Sequence, residues 1–389
     1  MTRKVCVTTG SRAEYGHMQW LIRDIADDPD LELQIMLTGM HLEERFGNTY
    51  KEVEADGFAI DARVPMGETD DSPEGIAAAM GRGVAGMAKA LMDLQPDILV
   101  ILGDRFEMLA AASAAMVTQT PIAHLHGGEA TEGLIDEAIR HSITKMAHLH
   151  FAAAKPYAQR IIQLGEDPAR VFTVGTPGLD AIFRRDLMDK AELENSLGFD
   201  LGDHFFMLTY HPVTLSVVDP AQAMNKLFGA LDTFPDHKVI ITGVNADAGN
   251  DRIREAIAAY SDANPNRVLN KTSLGHHRYL SALTLADAVI GNSSSGIAEA
   301  PTAGTPTVNL GDRQLRRLSA DSIIHCAEQI DDIRAAIKRA LDPGFLETAF
   351  INEPPYGRGG ASTIIKDLLK KADLSNILMK RFHNIPVPT

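Results

Sequence analysis

The sequence predicts an α/β protein built from two Rossmann-like, doubly wound domains facing a central cleft. Three observations lead there. Short apolar runs alternate with amphipathic helical stretches, the signature of βα units on parallel sheets. The pattern stops at the turn residues Thr176-Pro177-Gly178 and then starts again. Finally, the unusual polar clusters follow directly after apolar runs, where open parallel sheets hold their ligands. At 389 residues the chain suits two domains. We expect them at residues 1–178 and 179–362, with a tail, 363–389, that returns to the first.

Each element follows in order. Lys4–Thr9 reads as the first strand, Tyr15–Ala26 as a helix and Leu33–Thr38 as the second strand. Asp97–Leu102 (DILVIL) is a buried strand entered from a helix and Pro96. Pro121–Leu125 and Leu149–Ala153 extend the sheet, and Val171–Val174 closes it. Residues 180–200 form a charged helical connector. His204–Tyr210, Lys238–Thr242, Val268–Asn270, Ala288–Ile290 and Thr307–Leu310 supply the strands of the second half. Ser362–Leu378 is an amphipathic helix suited to pack back on the first domain.

Composition narrows the function. With 45% hydrophobic and 23% charged residues the chain reads as soluble and globular. A net charge of -15 argues against a nucleic-acid surface, yet a few local arginines can still hold a small anion. Two cysteines, Cys6 and Cys326, exclude a disulfide framework and a CxxC metal site. The N-terminal apolar run is too short for a signal peptide and no run of 18 apolar residues suggests a membrane span, so the expected location is the cytoplasm.

Five clusters carry the chemistry. Thr9-Gly10-Ser11-Arg12-Ala13-Glu14-Tyr15-Gly16 joins a strand to a helix and offers backbone N–H groups to an anion; it is not GxGxxG. Gly103-Asp104-Arg105-Phe106-Glu107 puts a carboxylate at the end of a buried strand, where Asp104 is either functional or a helix cap. His124-Leu125-His126-Gly127-Gly128-Glu129 runs on to Asp136, Glu137, Arg140 and His141 and is dense in proton-transfer groups. A metal reading is disfavoured there, because His124 and His126, read in a strand, point the same way with no third ligand at a recognisable spacing. Asp136 and Glu137 also lie four residues before Arg140 and His141, the spacing of intrahelical pairs. His211 sits at a strand end before Pro212 and is either structural or functional. Gly291-Asn292-Ser293-Ser294-Ser295-Gly296 supplies hydroxyls and N–H groups suited to phosphate oxygens, with Glu299 a turn further in to accept ribose hydroxyls. Arg313 follows the next strand.

Taken together, TGSRAEYG, LGDRFE, HGGEATEG, IDEAIRHSITKMAHLHF, HPVT, GNSSSGIAEAP and GTPTVNLGDRQ resemble the UDP-N-acetylglucosamine 2-epimerase family over most of the chain. The resemblance is closest to the hydrolysing branch, at the start of bacterial sialic and legionaminic acid synthesis. It implies a GT-B-like pair of domains with UDP mostly on the C-terminal one. It implies that Arg12, Gly16, Arg105, Asn245, Ser293, Ser294, Glu299 and Arg313 hold the substrate, with Leu274 near the uracil through its backbone and His211 beside the diphosphate. Asp104 and Asp136 match acidic catalytic positions, with Glu137 beside them. Many relatives carry a catalytic Glu where this chain has His126, so either Glu129 takes that role or His126 does the proton work. HGGE and HPVT stand where non-hydrolysing relatives read His-Glu-Ala-Gly and His-Arg.

The implied reaction eliminates UDP to a glycal, then adds water at C1 and a proton at C2 from the opposite face. It needs no cofactor and no metal. The implied partners are a UDP-linked N-acetylhexosamine and further copies of the chain in a homodimer or homotetramer, with neither nucleic acid nor membrane. Competing readings are a non-hydrolysing epimerase, a glycosyltransferase of the same architecture and a nucleotide-sugar sensor. The donor stays open between UDP-GlcNAc and a UDP-linked 2,4-diacetamido-trideoxyhexose, with GDP in place of UDP in a few relatives.

Overall fold

The computed structural model describes residues 2–67, 72–130, 135–211, 220–243, 250–314 and 317–386, with only the backbone of residues 220, 221, 250 and 251. The chain divides into two compact units, Met1–Asp180 with Gly359–Thr389, and Ala181–Arg358.

The N-terminal unit is built on seven parallel strands: β1 (Arg3–Thr9), β2 (Leu31–Thr38), β3 (Ala62–Val64), β4 (Ile98–Leu102), β5 (Ile122–Leu125), β6 (Leu149–Ala152) and β7 (Val171–Thr173). Their order is β3-β2-β1-β4-β5-β6-β7. Helices cover both faces, which is why β4 is apolar throughout and buried at every position. Side-chain alternation along each strand feeds two separate cores. Val5 and Val7 of β1 pack with Met18, Leu21 and Ile22 on one face, whereas Cys6 packs with Met36, Met87 and Leu99 on the other.

The tail returns to this unit, as the fold reading expects. Its helix, Ala361–Lys371, buries Ile365 and Leu369 in the same core as the helix Arg12–Ala26. Lys366 and Lys370 reach Asp28 at 3.1 and 2.8 Å. The helix stops at Lys371 rather than Leu378. Asp373 takes the backbone N–H and the hydroxyl of Ser375 at 2.9 and 2.6 Å, a local turn that competes with helix continuation.

The C-terminal unit has six parallel strands: β8 (His204–Thr209), β9 (His237–Thr242), β10 (Val268–Lys271), β11 (Ala288–Gly291), β12 (Thr307–Leu310) and β13 (Ile323–Cys326), in the order β10-β9-β8-β11-β12-β13. The connector is not one helix. Asp180–Arg184 ends, and Lys190–Leu197 begins anew at a capping box in which Asp189 and Glu192 satisfy each other's backbone N–H groups.

The strands that sequence reading did not single out, β3 and β13, lie at sheet edges and are short. What matters for function is where strand order reverses. In the N-terminal unit that is between β1 and β4, and in the C-terminal unit between β8 and β11. A crevice opens beyond the strand C-termini at such a point. Among the described residues, no helix is long and apolar enough to cross a membrane.

Candidate functional site

In the N-terminal unit three loops leave neighbouring strands: Gly10-Ser11 after β1, Gly103-Asp104-Arg105 after β4, and His126–Glu129 after β5. The charged groups there form separate hydrogen-bonded sets. The Asp104 carboxylate accepts from the Arg140 guanidinium, and Arg140 also donates to the Glu129 carbonyl at 3.0 Å and the Glu137 carboxylate at 3.2 Å. Arg140 is buried, so these partners are what make its charge tolerable. Glu137 completes the chain by meeting His141 Nε2 at 3.0 Å. Asp104 therefore does not cap the following helix; the cap position belongs to Arg105, and the Asp104 side chain turns to Arg140 instead.

A second group surrounds Arg105. Glu107 grips its guanidinium through two bonds, at 2.9 and 3.1 Å, and Glu14 lies 3.9 Å from Arg105 Nε. Burial works against the Arg105 charge, but Glu107, Glu14 and Asp136 outweigh it and raise its pKa. Glu14 is buried and accepts from the Gly10 N–H at 2.6 Å. Desolvation pushes its pKa up to about 7, against the pull of that N–H and of Arg105 and with the Glu107 charge adding to the rise. Behind it, buried His41 bridges Thr9 Oγ1 at 3.2 Å and Thr49 Oγ1 at 2.8 Å. Its pKa falls to about 4 through desolvation, which leaves a neutral imidazole.

The third feature is His126. Sequence reading places it on a strand beside His124, pointing the same way, but β5 ends at Leu125 and His126 takes a left-handed φ of 62°. The two histidines then part. His124 is buried, binds the Gly103 carbonyl at 2.8 Å and Thr144 at 3.3 Å, and has its pKa lowered to about 3 by desolvation. His126 instead offers Nδ1 to Glu129 Oε1 at 2.7 Å, while its Nε2 is buried with no hydrogen-bond partner among the described residues. Gly128 makes this turn feasible. Its φ is 76°, and a Cβ there would stand 2.3 Å from the Tyr157 carbonyl oxygen.

The C-terminal unit answers with neutral groups. Asn292, fully buried, receives the His211 N–H at 2.7 Å and donates to the His211 carbonyl at 2.9 Å, tying the end of β8 to the end of β11. The Asn292 carbonyl in turn accepts from Arg313 at 2.9 Å and Gln314 at 3.0 Å. Gly291 has a φ of 137° and no room for a side chain, since a Cβ would lie 1.9 Å from the Thr209 carbonyl oxygen. Ser294 precedes the helix Ser295–Ala303 and is exposed. Glu299 lies on that helix. Desolvation raises its pKa, opposed by its hydrogen bond with Ser295, which also receives the Tyr279 hydroxyl. Leu274 is buried one residue before Gly275 starts the next helix.

Other expected positions fall at the margins. Arg12 is largely exposed and pairs with Glu52 at 3.0 Å. Gly16 lies on the helix Arg12–Ala26, with no atom within 4 Å of where a Cβ would stand. Asn245 and the Pro212–Thr214 part of HPVT lie outside the described residues. Sequence reading missed Glu14, Glu107, Arg140 and His41 as members of these sets. The first two sit inside quoted motifs next to Arg12 and Arg105, and a carboxylate so close to an Arg was the available signal. His41 carries none.

The comparisons with known proteins settle the family. Residues 23–370 match the family model described as UDP-N-acetylglucosamine 2-epimerase. This chain belongs to the UDP-N-acetylglucosamine 2-epimerase family. It is 39% identical over 381 residues, 98% of either chain, to a protein of Campylobacter jejuni subsp. jejuni named GDP/UDP-N,N'-diacetylbacillosamine 2-epimerase (hydrolyzing). It is 35% identical over 382 residues, 98% of this chain and 99% of the relative, to the UDP-N,N'-diacetylbacillosamine 2-epimerase (hydrolyzing) of Legionella pneumophila. These similarities set this family member in the hydrolysing branch. The fold is shared with the crystal structure of UDP-GlcNAc 2-epimerase from Neisseria meningitidis bound to UDP-GlcNAc, at a TM-score of 0.80 and 18% identity, covering 95% of this chain and 100% of that one.

Proposed function

We propose that this family member hydrolyses a UDP-linked 2,4-diacetamido-2,4,6-trideoxyhexose with inversion at C2, releasing UDP and the free manno-configured sugar. The observation that carries it is the set of polar groups after β4 and β5, which brings the Asp104–Arg140 ion pair and the Glu129–His126 hydrogen bond to one end of a sheet. The N,N'-diacetylbacillosamine named for both relatives supports the choice of donor.

The chemistry follows from what these groups can do. A C2 proton of a sugar is barely acidic, so its loss has to accompany rupture of the C1–O bond to UDP. Asp104, held by Arg140, is assigned as the base that takes the C2 proton. The electron pair of the C–H bond forms the C1–C2 double bond of a glycal, and UDP leaves with the C1–O pair. Glu129 orients His126 through Nδ1, so Nε2 is the atom assigned to deliver a proton to C2 from the other face while water adds its oxygen at C1 and gives its proton to solvent. Asp104 then loses the C2 proton to solvent, and His126 regains one from it. Arg313, Ser293, Ser294 and His211 are assigned to the diphosphate and Glu299 to the ribose. Asp136 and Arg105 supply the opposed charges beside the reacting sugar.

Incubation in deuterium oxide tests the reading. UDP-linked N,N'-diacetylbacillosamine is expected to give UDP and a free sugar carrying one deuterium at C2, and to turn over faster than UDP-GlcNAc. A product still attached to UDP would replace hydrolysis by simple epimerisation. A free sugar lacking deuterium would remove the elimination step.

A further inference from the structure

The opposite edge of the C-terminal sheet carries a donor set that the epimerase reaction does not use. His204 and His237 are the first residues of β8 and β9 and face each other in the ladder. Asp287 immediately precedes β11, the strand on the other side of β8. One ligand atom from each of the three lies within 4.8 Å of the others. All three stand at strand N-termini, whereas His211, Asn292 and Ser293 follow strand C-termini, so this cluster is distinct from the candidate nucleotide site.

The geometry around each donor is already fixed. Asp287 Oδ2 accepts the Phe205 N–H at 2.8 Å, and the Asp287 N–H returns to the Phe205 carbonyl at 3.0 Å. That clamp leaves Oδ1 for His204, whose Nδ1 lies 3.2 Å away. His237 is sandwiched: its ring stacks on Phe206 with centroids 4.3 Å apart and on His204 at 5.1 Å, with Phe234 edge-on. Its Nδ1 is buried without a hydrogen-bond partner among the described residues. Buried imidazole nitrogens normally find a partner, and this one has two other donors beside it.

We propose that His204, His237 and Asp287 form a binding site for a late first-row divalent cation, with zinc as its simplest occupant. Two imidazoles and a carboxylate suit zinc, cobalt, nickel or copper and do not suit magnesium or calcium, which take oxygen ligands. Tetrahedral zinc bonds of about 2.0–2.1 Å place neighbouring donors roughly 3.4 Å apart. The His204–Asp287 pair is near that separation, and the His237 ligand atom, within 4.8 Å of both, draws in to complete the set. Water fills the remaining position at this partly exposed edge, and the cation ties three adjacent strands together at their starts.

The test uses full-length, tag-free protein dialysed against EDTA and then titrated with zinc chloride against a chromogenic chelator. Wild type is expected to take up one zinc per chain in competition with the chelator and to melt at higher temperature with zinc than in EDTA. His204→Gln removes an exposed ligand from a position that contributes little to packing; it is expected to lower zinc affinity at least tenfold and abolish the thermal shift. His237→Asn is expected to do the same, and circular dichroism in EDTA establishes that both variants fold. Absence of saturable uptake by wild type, or equal uptake by wild type and folded His204→Gln, would overturn the site and leave His204–Asp287 as a surface hydrogen bond.

Discussion

The two strand-order reversals occupy equivalent places in two sheets of the same kind, yet their chemistry differs in almost every respect. Beyond β1, β4 and β5 stand Glu14, Asp104, Arg105, Glu107, Glu129 and Arg140, all paired with opposite charges or hydrogen-bond donors. Beyond β8 and β11 stand an amide, serine hydroxyls and backbone groups, with the Arg313 and Gln314 side chains bound to the Asn292 carbonyl. Under the proposed reading the first arrangement moves protons and the second binds the nucleotide, for which hydrogen-bond donors and a helix start are suited. Topology therefore positions a site, and the residues at the strand ends decide what the site does.

Substitutions that separate binding from turnover probe this division. The largest expected effect is at Asp104. Replacing it with asparagine keeps shape and removes the carboxylate, and kcat should fall by about 10²–10⁴, the usual contribution of a general acid or base. UDP affinity, measured by calorimetry, should stay within about threefold, because the division assigns the nucleotide to the other unit. An unchanged kcat would show that these charged sets do not perform the chemistry.

Next comes the stability of the N-terminal crevice. The Glu14 pKa is raised to about 7 in the folded chain against 4.5 as its ordinary value. The folded state thus binds the proton more tightly than the unfolded one. Glu14 stability is fully present below the ordinary value and is lost as pH rises through about 7. Glu14→Gln mimics the protonated form, so urea titrations should show the variant gaining on wild type by about 3 kcal/mol between pH 4 and pH 8. A pH-independent difference would mean that the carboxylate is not held in a desolvated site. The counterpart in the C-terminal unit is Glu299, whose pKa is likewise raised by burial and opposed by its hydrogen bond with Ser295.

The smallest expected effect lies in the second crevice. Arg313→Ala should weaken UDP binding about tenfold, as expected for loss of one hydrogen bond to a charged group, and leave kcat at saturating donor near wild type. A fall in kcat without loss of UDP affinity would move Arg313 into the chemical step and blur the comparison.

How much of this was legible beforehand varies by region. The strand runs DILVIL and HFFMLTY read clearly because a strand covered on both faces has to be apolar throughout. The five motifs were recognisable from their residue order and their place after apolar runs, and the structure sets the Gly10, Asp104 and Asn292 loops at strand ends. Other features needed coordinates. Asp104 and Arg140 are far apart in sequence, so the spacing rule paired Arg140 with its own helix and overlooked Asp104. His126 parts from His124 because it follows the last residue of β5 and takes a left-handed φ, which residue spacing does not reveal. The His204–His237–Asp287 set has no local spacing at all, being assembled only by strand order.

The sequence by itself determined the class of the fold, the family and the stretches from which a site could be drawn, since periodicity and motif order are properties of neighbours along the chain. Tertiary structure decided which charges face one another: that Arg140 neutralises Asp104, that Glu107 grips Arg105, and that burial rather than a nearby residue in sequence lifts Glu14. Charge energies depend on distance through space and on exclusion of water. Neither quantity is written in the order of the residues.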